Sequence, residues 1–284
     1  MLDNGTIVSE TEIEPAAWPA TSRLAALALR DGIATPVVEC VAEEVAVALE
    51  VNGIAHAVML ATPADLDDFA LGFLLSEGII DSRRDLLDAE AVAVESGIAL
   101  RVEIVQRCVA RLKERKRALA GRTGCGLCGT ESIAEAVRPV RRDVARVSIE
   151  AAMLTRGMAA LASGQALQKA TGATHAAAWI SLGGSLQAVR EDVGRHNALD
   201  KLIGCLAKAG FDAATGFVAV TSRASYEMVH KTASAGIGLL AAISAPTGLA
   251  VRMAEEAGLT LAGFARGDRF TLYSHPERVV RRPT

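Results

Sequence analysis

Aromatic residues are scarce in this chain: Phe, Trp and Tyr together make up 4% of its 284 residues. Proteins that bind single-stranded nucleic acid usually stack the bases on such side chains. The net charge of -3 and the pI near 6.0 provide no general attraction to phosphate backbones or to anionic membrane surfaces. We therefore expect neither nucleic acid nor a membrane as a partner.

Long uncharged apolar runs are also missing. A membrane-spanning helix needs about 18 or more consecutive apolar residues, and the sequence has no such run. The first residues, MLDNGTIVSETEIEP, are polar and acidic, whereas a secretory signal begins with basic residues and continues with an apolar stretch. These observations predict a cytoplasmic protein.

Cysteine is rare and its number is odd. Five cysteines at irregular spacing do not suit a framework of disulfides and predict reduced thiols. Cys40, Cys108 and Cys205 each stand alone and are interpreted as small buried apolar residues. Cys125 and Cys128 lie together in the segment TGCGLCG, which is the most informative part of the chain.

The glycines around Cys125 and Cys128 predict a mobile loop that presents its sulfur atoms, because glycine leaves the backbone free and buries no side chain. A basic stretch, RCVARLKERKRALAGR, directly precedes this loop. Nearby cations stabilise the thiolate, which is the form of cysteine that attacks. Transfer of sulfur as a persulfide is the interpretation that this arrangement favours.

Other roles for the cysteine pair stay open at this point. A structural zinc site needs two further ligands, and the chain has no second close pair of cysteines. A thioredoxin-like redox pair should follow a strand and open a helix, whereas this pair follows a basic helical stretch. An inert loop is the remaining alternative, and we predict no metal site.

The pattern of the chain predicts an N-terminal α+β unit ahead of a larger α/β domain. Residues 1–35 are expected to be a loosely ordered segment. Residues 36–106 are predicted to form the small α+β unit, with a hairpin turn at Asn52-Gly53 and a helix that Thr62 opens as its N-cap. The middle piece, residues 107–147, holds the basic helix and the mobile cysteine loop.

Residues 148–284 alternate helical segments with apolar runs, which predicts a three-layer α/β sandwich around a mainly parallel sheet. Ligands of such sheets bind beyond the carboxyl ends of the strands. Three polar loops, at 191–197, 221–225 and 244–248, fall there, and each leads into a helix whose free N–H groups attract phosphate. Ordinary helix capping is the alternative for any one of these loops.

Several side chains of these loops suit phosphate or pyrophosphate. Ser222 offers a hydroxyl group, and Arg195 and Arg223 offer forked cations. His196 is either a general acid or base, or a residue that caps the following helix. The other histidines are interpreted as surface or structural residues, namely His56, His175, His230 and His275.

After about residue 35, long ordered motifs resemble those of the FdhD/NarQ family of formate dehydrogenase accessory sulfurtransferases. They include VMLATPADLDDFALGFLLSEGII, GRTGCGLCG, EDVGRHNALDKLIG, TSRASYEMVHKTASAG, SAPTGLAV and LTLAGFARGDRFTLYSHPERV. The resemblance implies a cytoplasmic homodimer whose larger domain is similar to the cytidine deaminase fold. It also implies a sulfurtransferase that takes persulfide sulfur from a cysteine desulfurase and passes it to the molybdenum cofactor, bis-molybdopterin guanine dinucleotide, for use in formate dehydrogenase.

The resemblance further implies roles for particular residues. Cys125 is the persulfide cysteine, and Cys128 assists or relays the sulfur. The guanine-dinucleotide site, where a guanine nucleotide is expected to mimic the cofactor, includes Phe264, Ala265, Arg266, Gly267, Asp268 and Arg269.

Two rival functions remain at the level of the sequence. A zinc-dependent deaminase needs a P-C-x-x-C motif among its zinc ligands, and here Gly124 rather than proline precedes Cys125. A non-enzymatic chaperone that only binds the cofactor and the dehydrogenase is the second alternative. Such a chaperone would function without Cys125.

Overall fold

The computed structural model describes residues 18–112, 138–140 and 142–280. In these ranges no helix is long and apolar enough to cross a membrane. Short 3-10 turns lie at Arg83–Asp85, Gln106–Cys108, Ala213–Thr215 and Pro276–Arg278. The strands are β1 (Thr21–Arg30), β2 (Ile33–Ala42), β3 (Val45–Val51), β4 (Ile54–Ala61), β5 (Leu86–Val94), β6 (Gly97–Ile104), β7 (Ile149–Glu150), β8 (His175–Ser181), β9 (Leu186–Asp192), β10 (Gly216–Val220), β11 (Leu239–Ala242), β12 (Thr260–Arg266), β13 (Arg269–Ser274) and β14 (Val279–Val280). The helices are α1 (Leu66–Ser76), α2 (Ala151–Gly164), α3 (Ala166–Thr171), α4 (Arg195–Ala209), α5 (Tyr226–Ser234) and α6 (Gly248–Ala257).

The first described element is an antiparallel hairpin of β1 and β2. Residues 21–35, expected to be loosely ordered, are therefore strand and turn; residues 1–17 lie outside the described ranges. The turn is Asp31-Gly32, with φ of 52° and 78°, and both residues adopt the left-handed conformation that a tight hairpin requires. The sequence carries this signal openly, as Asp-Gly between two apolar runs.

The small α+β unit is a four-stranded sheet in the order β4-β3-β6-β5, with α1 packed on one face. The predicted hairpin at Asn52-Gly53 is confirmed, with φ of 49° and 71° at the two turn residues. The prediction that Thr62 caps the following helix is wrong, because α1 begins only after Asp65. Thr62 instead bonds to the larger domain.

The larger domain contains a sheet of six described strands in the order β13-β12-β11-β10-β8-β9. Pairs β10–β11 and β11–β12 are parallel, whereas β8 runs antiparallel to both β9 and β10, and β12 runs antiparallel to β13. The expectation of a mainly parallel sheet is therefore wrong. Tight turns near Gly184 and Gly267, both with positive φ, fold back the strands at the two ends of the sheet, and β8 lies antiparallel beside β10 in its middle.

Helices cover both faces of this sheet, which confirms the three-layer sandwich. On one face, Ile180 and Phe217 pack against α2. On the other face, Trp179 and Val218 pack against α4, α5 and α6. Successive strand residues point to opposite faces, and both sets are buried, which explains why these strands read as continuous apolar runs.

Two glycines bring the small unit against the larger domain. A Cβ atom on Gly72 of α1 would lie 1.7 Å from the backbone oxygen of Asp200, and one on Gly204 of α4 would lie 1.9 Å from that of Asp68. No side chain fits at either position, so the backbones of α1 and α4 cross in direct contact. The cores of the two units meet along this crossing.

Candidate anion-binding site

A cavity of about 310 Å³ opens at the edge of the sheet where β10 and β11 end. It brings together four of the residues that the sequence analysis proposed for the cofactor, namely Arg195, Ser222, Arg223 and Arg266. The remaining lining residues are His175, Thr221, Ile243 and Ser244.

Sheet topology explains why residues so far apart in sequence share this cavity. Strands β10, β11 and β12 are parallel, so the loops after them emerge at the same edge. The loops after β10 and β11 are joined by backbone bonds, with the Ala224 N–H donating to Ala245 O at 3.3 Å and the Thr247 N–H donating to Ala224 O at 3.1 Å. The polar side chains of the rim are therefore held on a connected backbone.

The cavity has an excess of positive charge. Three guanidinium groups line it, and no carboxylate lies among its described lining residues. Arg266 is oriented by the bond that its Nε donates to Ile243 O at 3.1 Å. The Nε atom of Arg195 is buried and has no hydrogen-bond partner among the described residues. A buried cationic donor without a partner is costly, so this geometry suits an anion that accepts its hydrogen bond.

Sequence reasoning missed His175, which it treated as a lone structural histidine. The residue begins β8, and since β8 runs antiparallel to β10, its first residue lies at the edge where β10 ends. Burial lowers the pKa of His175, the charges of Arg195 and His196 lower it further, and Asp192 opposes them. His175 thus contributes a neutral imidazole to the wall of the cavity.

His196, the other histidine candidate, does not line the cavity. Its Nε2 lies 2.9 Å from Oε2 of Glu227 on α5, and the residue that caps α4 is Gly194. Burial alone would raise the pKa of Glu227, but the hydrogen bond and charge of His196 outweigh it, and the net shift is downward. His196 therefore joins α4 to α5.

The stretch from Phe264 to Arg269 contributes unevenly to the cavity. Its Arg266 side chain lines the wall. Phe264 has a φ of 53° and donates its backbone N–H to Ser244 O at 3.2 Å, which ties β12 to the loop after β11. Ala265 is buried in the core. The other three members lie exposed at and beside the turn between β12 and β13, namely Gly267, Asp268 and Arg269.

The predicted persulfide residues, Cys125 and Cys128, lie outside the described residues. Before them, Arg107 pairs with Asp85, and Arg111 makes two bonds to the carboxylate of Asp81, at 2.6 and 2.9 Å. These two cations of the basic stretch are therefore engaged within the small unit, and the bond to Asp81 raises the pKa of Arg111.

After the cysteine pair, the described chain resumes at an anchored residue. The Arg138 guanidinium lies 3.1 Å from a carboxylate oxygen of Glu77, which follows α1. The Arg138 backbone N–H also donates to the Tyr226 hydroxyl at 2.6 Å. Since Asp81 and Glu77 both follow α1 closely, the described residues on either side of the cysteine segment are fastened near the same end of that helix.

The isolated cysteines differ in burial. Cys108 is buried, whereas Cys40 and Cys205 are partly buried, and all three are free thiols. Burial raises the pKa of Cys205, and the nearby Arg190 cation offsets this only in part. The interpretation of these cysteines as buried apolar residues holds fully for Cys108 alone.

Among the described residues, no group of three or more His, Cys, Asp and Glu side chains could hold a metal ion. An H-x-E triplet of the kind used by zinc deaminases does occur, at His275-Pro276-Glu277. It lies on a 3-10 turn after β13, where His275 approaches Glu255 and Glu277. None of these residues lines the cavity.

A second concentration of charge, the interdomain seam, lies between the small unit and helices α4 and α5. Lys201 contacts Asp192 at 2.6 Å and donates to Thr62 O at 2.8 Å. Asp192 also accepts the Thr62 N–H at 3.0 Å, and Asn197 donates to Leu60 O at 2.8 Å. Thus three side chains of the motif EDVGRHNALDK hold the end of β4.

The other half of the seam surrounds Lys231, which donates to Asp200 at 2.9 Å, Ser76 at 3.0 Å and Glu77 at 3.1 Å. Burial alone would lower the pKa of Lys231, but the carboxylates of Asp200 and Glu77 outweigh it, and the net shift is upward. Burial raises the pKa of Asp200. The neighbouring His230 was expected at the surface, but it is buried. The prediction was wrong because it took the adjacent Lys231 as a sign of a solvent-exposed position, whereas Lys231 is itself buried.

Comparison with known proteins agrees with the resemblance. The family model described as the FdhD/NarQ family matches residues 42–280. Two relatives named sulfur carrier protein FdhD, from Variovorax paradoxus and Cupriavidus necator, are 59% and 58% identical; the alignments cover 84% of this chain in both cases and 86% and 83% of the relatives. A crystal structure from Desulfotalea psychrophila, assigned as a formate dehydrogenase accessory protein, matches the fold with a TM-score of 0.72 at 23% identity, over 92% of this chain and 100% of that one. The chain belongs to the FdhD/NarQ family.

Proposed function

We propose that this chain is a sulfur carrier for the maturation of formate dehydrogenase. It accepts persulfide sulfur from a cysteine desulfurase at Cys125 and passes it to bis-molybdopterin guanine dinucleotide, which it binds as a substrate. The names of the relatives support the sulfur carrier role. We further propose that the protein acts in the cytoplasm as a homodimer.

The observation that carries the substrate assignment is the buried Nε of Arg195, which has no acceptor among the described residues, beside a cavity that three guanidinium groups line. Guanidinium forks match the oxygen atoms of phosphate groups. Ser222, Ser244 and the neutral His175 can complete the hydrogen bonding. The cofactor carries pyrophosphate groups, so its chemistry fits this set of donors.

The proposed uptake of sulfur is a thiol exchange. The Cys125 thiolate attacks the outer sulfur of the donor's cysteine persulfide, the donor's S–S bond breaks, and the donor cysteine leaves as a thiolate while a new S–S bond forms on Cys125. Attack by the Cys128 thiolate on the inner sulfur of Cys125 then forms a disulfide and releases hydrosulfide, so the two thiolates supply the two electrons. A cellular dithiol reductant restores both thiols.

A non-enzymatic chaperone remains the second candidate, because the cavity by itself supports binding of the cofactor and not sulfur transfer. The two functions differ in their need for Cys125. A chaperone retains its effect on the dehydrogenase in the Cys125→Ala variant, whereas a sulfur carrier loses it and still binds guanine nucleotide.

Intact-mass measurement tests the proposal directly. The wild type, Cys125→Ala and Cys128→Ala are each incubated with a cysteine desulfurase and cysteine. We expect a reducible gain of one sulfur atom, ~32 Da, in Cys128→Ala, a smaller gain in the wild type because Cys128 can release the sulfur, and no gain in Cys125→Ala. No gain in any of the three proteins would contradict sulfur transfer and favour the chaperone.

A further inference from the structure

Among its described lining residues, the cavity has one group whose charge can change near neutral pH. Three of these residues are arginines, which keep their charge in proteins, and Thr221, Ser222, Ile243 and Ser244 carry none. His175 is the remaining one. Histidine is the side chain whose ordinary pKa lies between about pH 5 and about pH 8. A proton that these lining residues gain or lose in that range therefore belongs to His175.

Strand pairing holds His175 beside Asp192 but leaves it no acceptor there. The two residues are cross-strand partners in the β8–β9 pair, and the charge of Asp192 acts on the imidazole. An ionised carboxylate has about four lone-pair sites, and donors already occupy those of Asp192. These donors are the N–H groups of Gly194 and Thr62 and the side chains of Asn197 and Lys201. His175 is therefore left to a ligand in the cavity.

The charges that surround His175 do not favour an imidazolium ion in the empty cavity. The charged and titratable groups near it are Asp192 and Glu191 on β9, Arg195 and His196 on α4, Arg223 after β10 and Arg266 on β12. Glu191 points to the opposite face of β9, where it accepts two N–H groups from the first turn of α3. Positive groups thus dominate on the side of the cavity, and an anion that enters it changes this balance.

We propose that the binding of a dianion in this cavity is coupled to the uptake of a proton by His175. The site then binds its anionic ligand more tightly in mildly acidic than in neutral solution. This inference rests on the proposed function, which places the phosphate groups of the ligand in the cavity. It adds a means of regulation, because the local pH sets the affinity of the site.

The direction of the effect follows from the charges near His175. In the free protein, burial and then the charge of Arg195 are the main causes that lower the pKa of His175. A bound dianion offsets the charge of Arg195 and attracts an imidazolium ion, so it raises the pKa of His175 in the complex. By linkage, the affinity is lowest above the pKa of the complex, rises as the pH falls toward the pKa of the free protein, and is constant below it.

Sulfate titrations of the full chain measure this coupling. Sulfate is the probe because it remains a dianion from about pH 5 to about pH 8, whereas a phosphate monoester changes its own charge near pH 6. A nearby opposite charge moves a pKa by about 1–3, and a change of one in pKa corresponds to a tenfold change in affinity. At constant ionic strength, we expect calorimetry to find sulfate bound about tenfold or more tightly near pH 5 than near pH 8.

Two histidine variants separate His175 from general effects of pH. In His175→Asn, the affinity for sulfate should be nearly independent of pH, because asparagine donates a hydrogen bond but cannot gain a charge. His275→Asn, at a histidine that does not line the cavity, should keep the pH dependence of the wild type. A wild type without pH dependence, or a dependence that persists in His175→Asn, would overturn the inference and leave the anion site intact. Absence of sulfate binding at every pH would overturn both the inference and the anion site of the proposed function.

Proton uptake is also measurable on the wild type, so the test does not depend on the folding of a variant. The sulfate titration is repeated near pH 6.5, the ordinary pKa of histidine, in two buffers that differ in their heat of ionisation. The difference between the observed heats gives the number of protons taken up. We expect a net uptake of up to one proton per bound sulfate, and zero uptake would overturn the inference.

Discussion

The cavity and the interdomain seam draw on the same segment, residues 191–201, yet they treat charge in opposite ways. In the seam, Lys201 and Asp192 are fully buried and lie 2.6 Å apart. In the cavity, Arg195 of the same helix keeps a buried Nε without a partner among the described residues. Paired charge fastens the two units of the fold, whereas unpaired charge of one sign marks the place for a ligand. A residue's place in this sequence motif therefore does not tell whether its charge pairs within the fold or is left for a ligand.

Breaking the seam should have the largest effect. Lys201→Met removes the cation but leaves the Asp192 carboxylate buried, and the loss of one partner of a buried pair typically costs about 3–5 kcal/mol. The free energy of unfolding, measured by urea denaturation, should fall by that amount. The matched control is Lys208→Met on the same helix: its partly exposed bridge to Asp68 contributes about 1 kcal/mol or less. Equal losses in the two variants would show that burial of the Lys201–Asp192 pair is not the source of the larger effect.

Removal of charge from the cavity should leave the fold intact and weaken binding. For Arg195→Ala we expect the affinity for guanosine diphosphate, used as a probe, to fall by about 1.5–3 kcal/mol, the usual contribution of a charged hydrogen bond. Stability should change by about 0.5 kcal/mol or less. Calorimetric titration and urea denaturation measure the two quantities. Arg252→Ala, an exposed arginine on α6 that does not line the cavity, serves as the control.

If Arg195→Ala lowered the free energy of unfolding as much as Lys201→Met does, charge in the cavity would stabilise the fold as charge in the seam does, and the contrast between the two regions would be wrong. If it bound the nucleotide as well as the wild type does, the unpartnered Nε would have no part in binding the ligand.

The helix crossing beside the seam should respond to a single methyl group. Gly204→Ala places a Cβ 1.9 Å from Asp68 O, so α1 and α4 must separate, and overpacking typically costs about 1–3 kcal/mol. Alanine favours a helix by about 1 kcal/mol over glycine, so a net loss of stability would identify the crossing as the cause. Gly248→Ala has room, with the nearest atom at 3.6 Å, and thermal denaturation should find it neutral or slightly stabilised.

The smallest effect concerns pH. Because His196 keeps the pKa of Glu227 below its ordinary value of 4.5, the ionised carboxylate stabilises the folded state above that value. This contribution is lost as the pH falls through the folded-state pKa. The stability difference between the wild type and Glu227→Gln should therefore shrink as the pH falls below about 5. A difference that grows as the pH is lowered below about 5 would contradict the assignment.

Local signals in the sequence predicted much of the fold, and their failures are instructive. Asn52-Gly53 forms the predicted turn because both residues tolerate positive φ. Asp31-Gly32 obeys the same rule, yet the prolines before it suggested a loose segment. Thr62 has the local features of a helix cap, but its backbone and hydroxyl bond to residues about 130 positions away. The sequence around Thr62 gives no sign of a hydrogen bond to so distant a residue.

Candidate ligand residues were predictable to the extent that they follow parallel strands. Ser222 and Arg223 follow β10, and Arg195 follows β9, which runs in the same direction as β10 because both are antiparallel to β8. His175 was not predictable in this way, since it begins a strand, and only the antiparallel insertion of β8 brings it to the same edge. Arg266 was proposed from the resemblance and lines the cavity, whereas its neighbour Ala265 faces the core.

By itself, the sequence determined the turns, the alternation of helices with apolar strands, the family and the pairing of thiols with a basic stretch, because each depends on residues close together in the chain. Only the tertiary structure decided which charges are paired. Lys201, Lys231 and Arg195 are similar cations in similar helices. Lys201 meets Asp192 at the end of β9, and Lys231 meets Asp200 of α4 and Glu77 after α1, whereas Arg195 lines a cavity without a carboxylate among its described lining residues. Charge pairing depends on contacts across the fold, and no local pattern records those contacts.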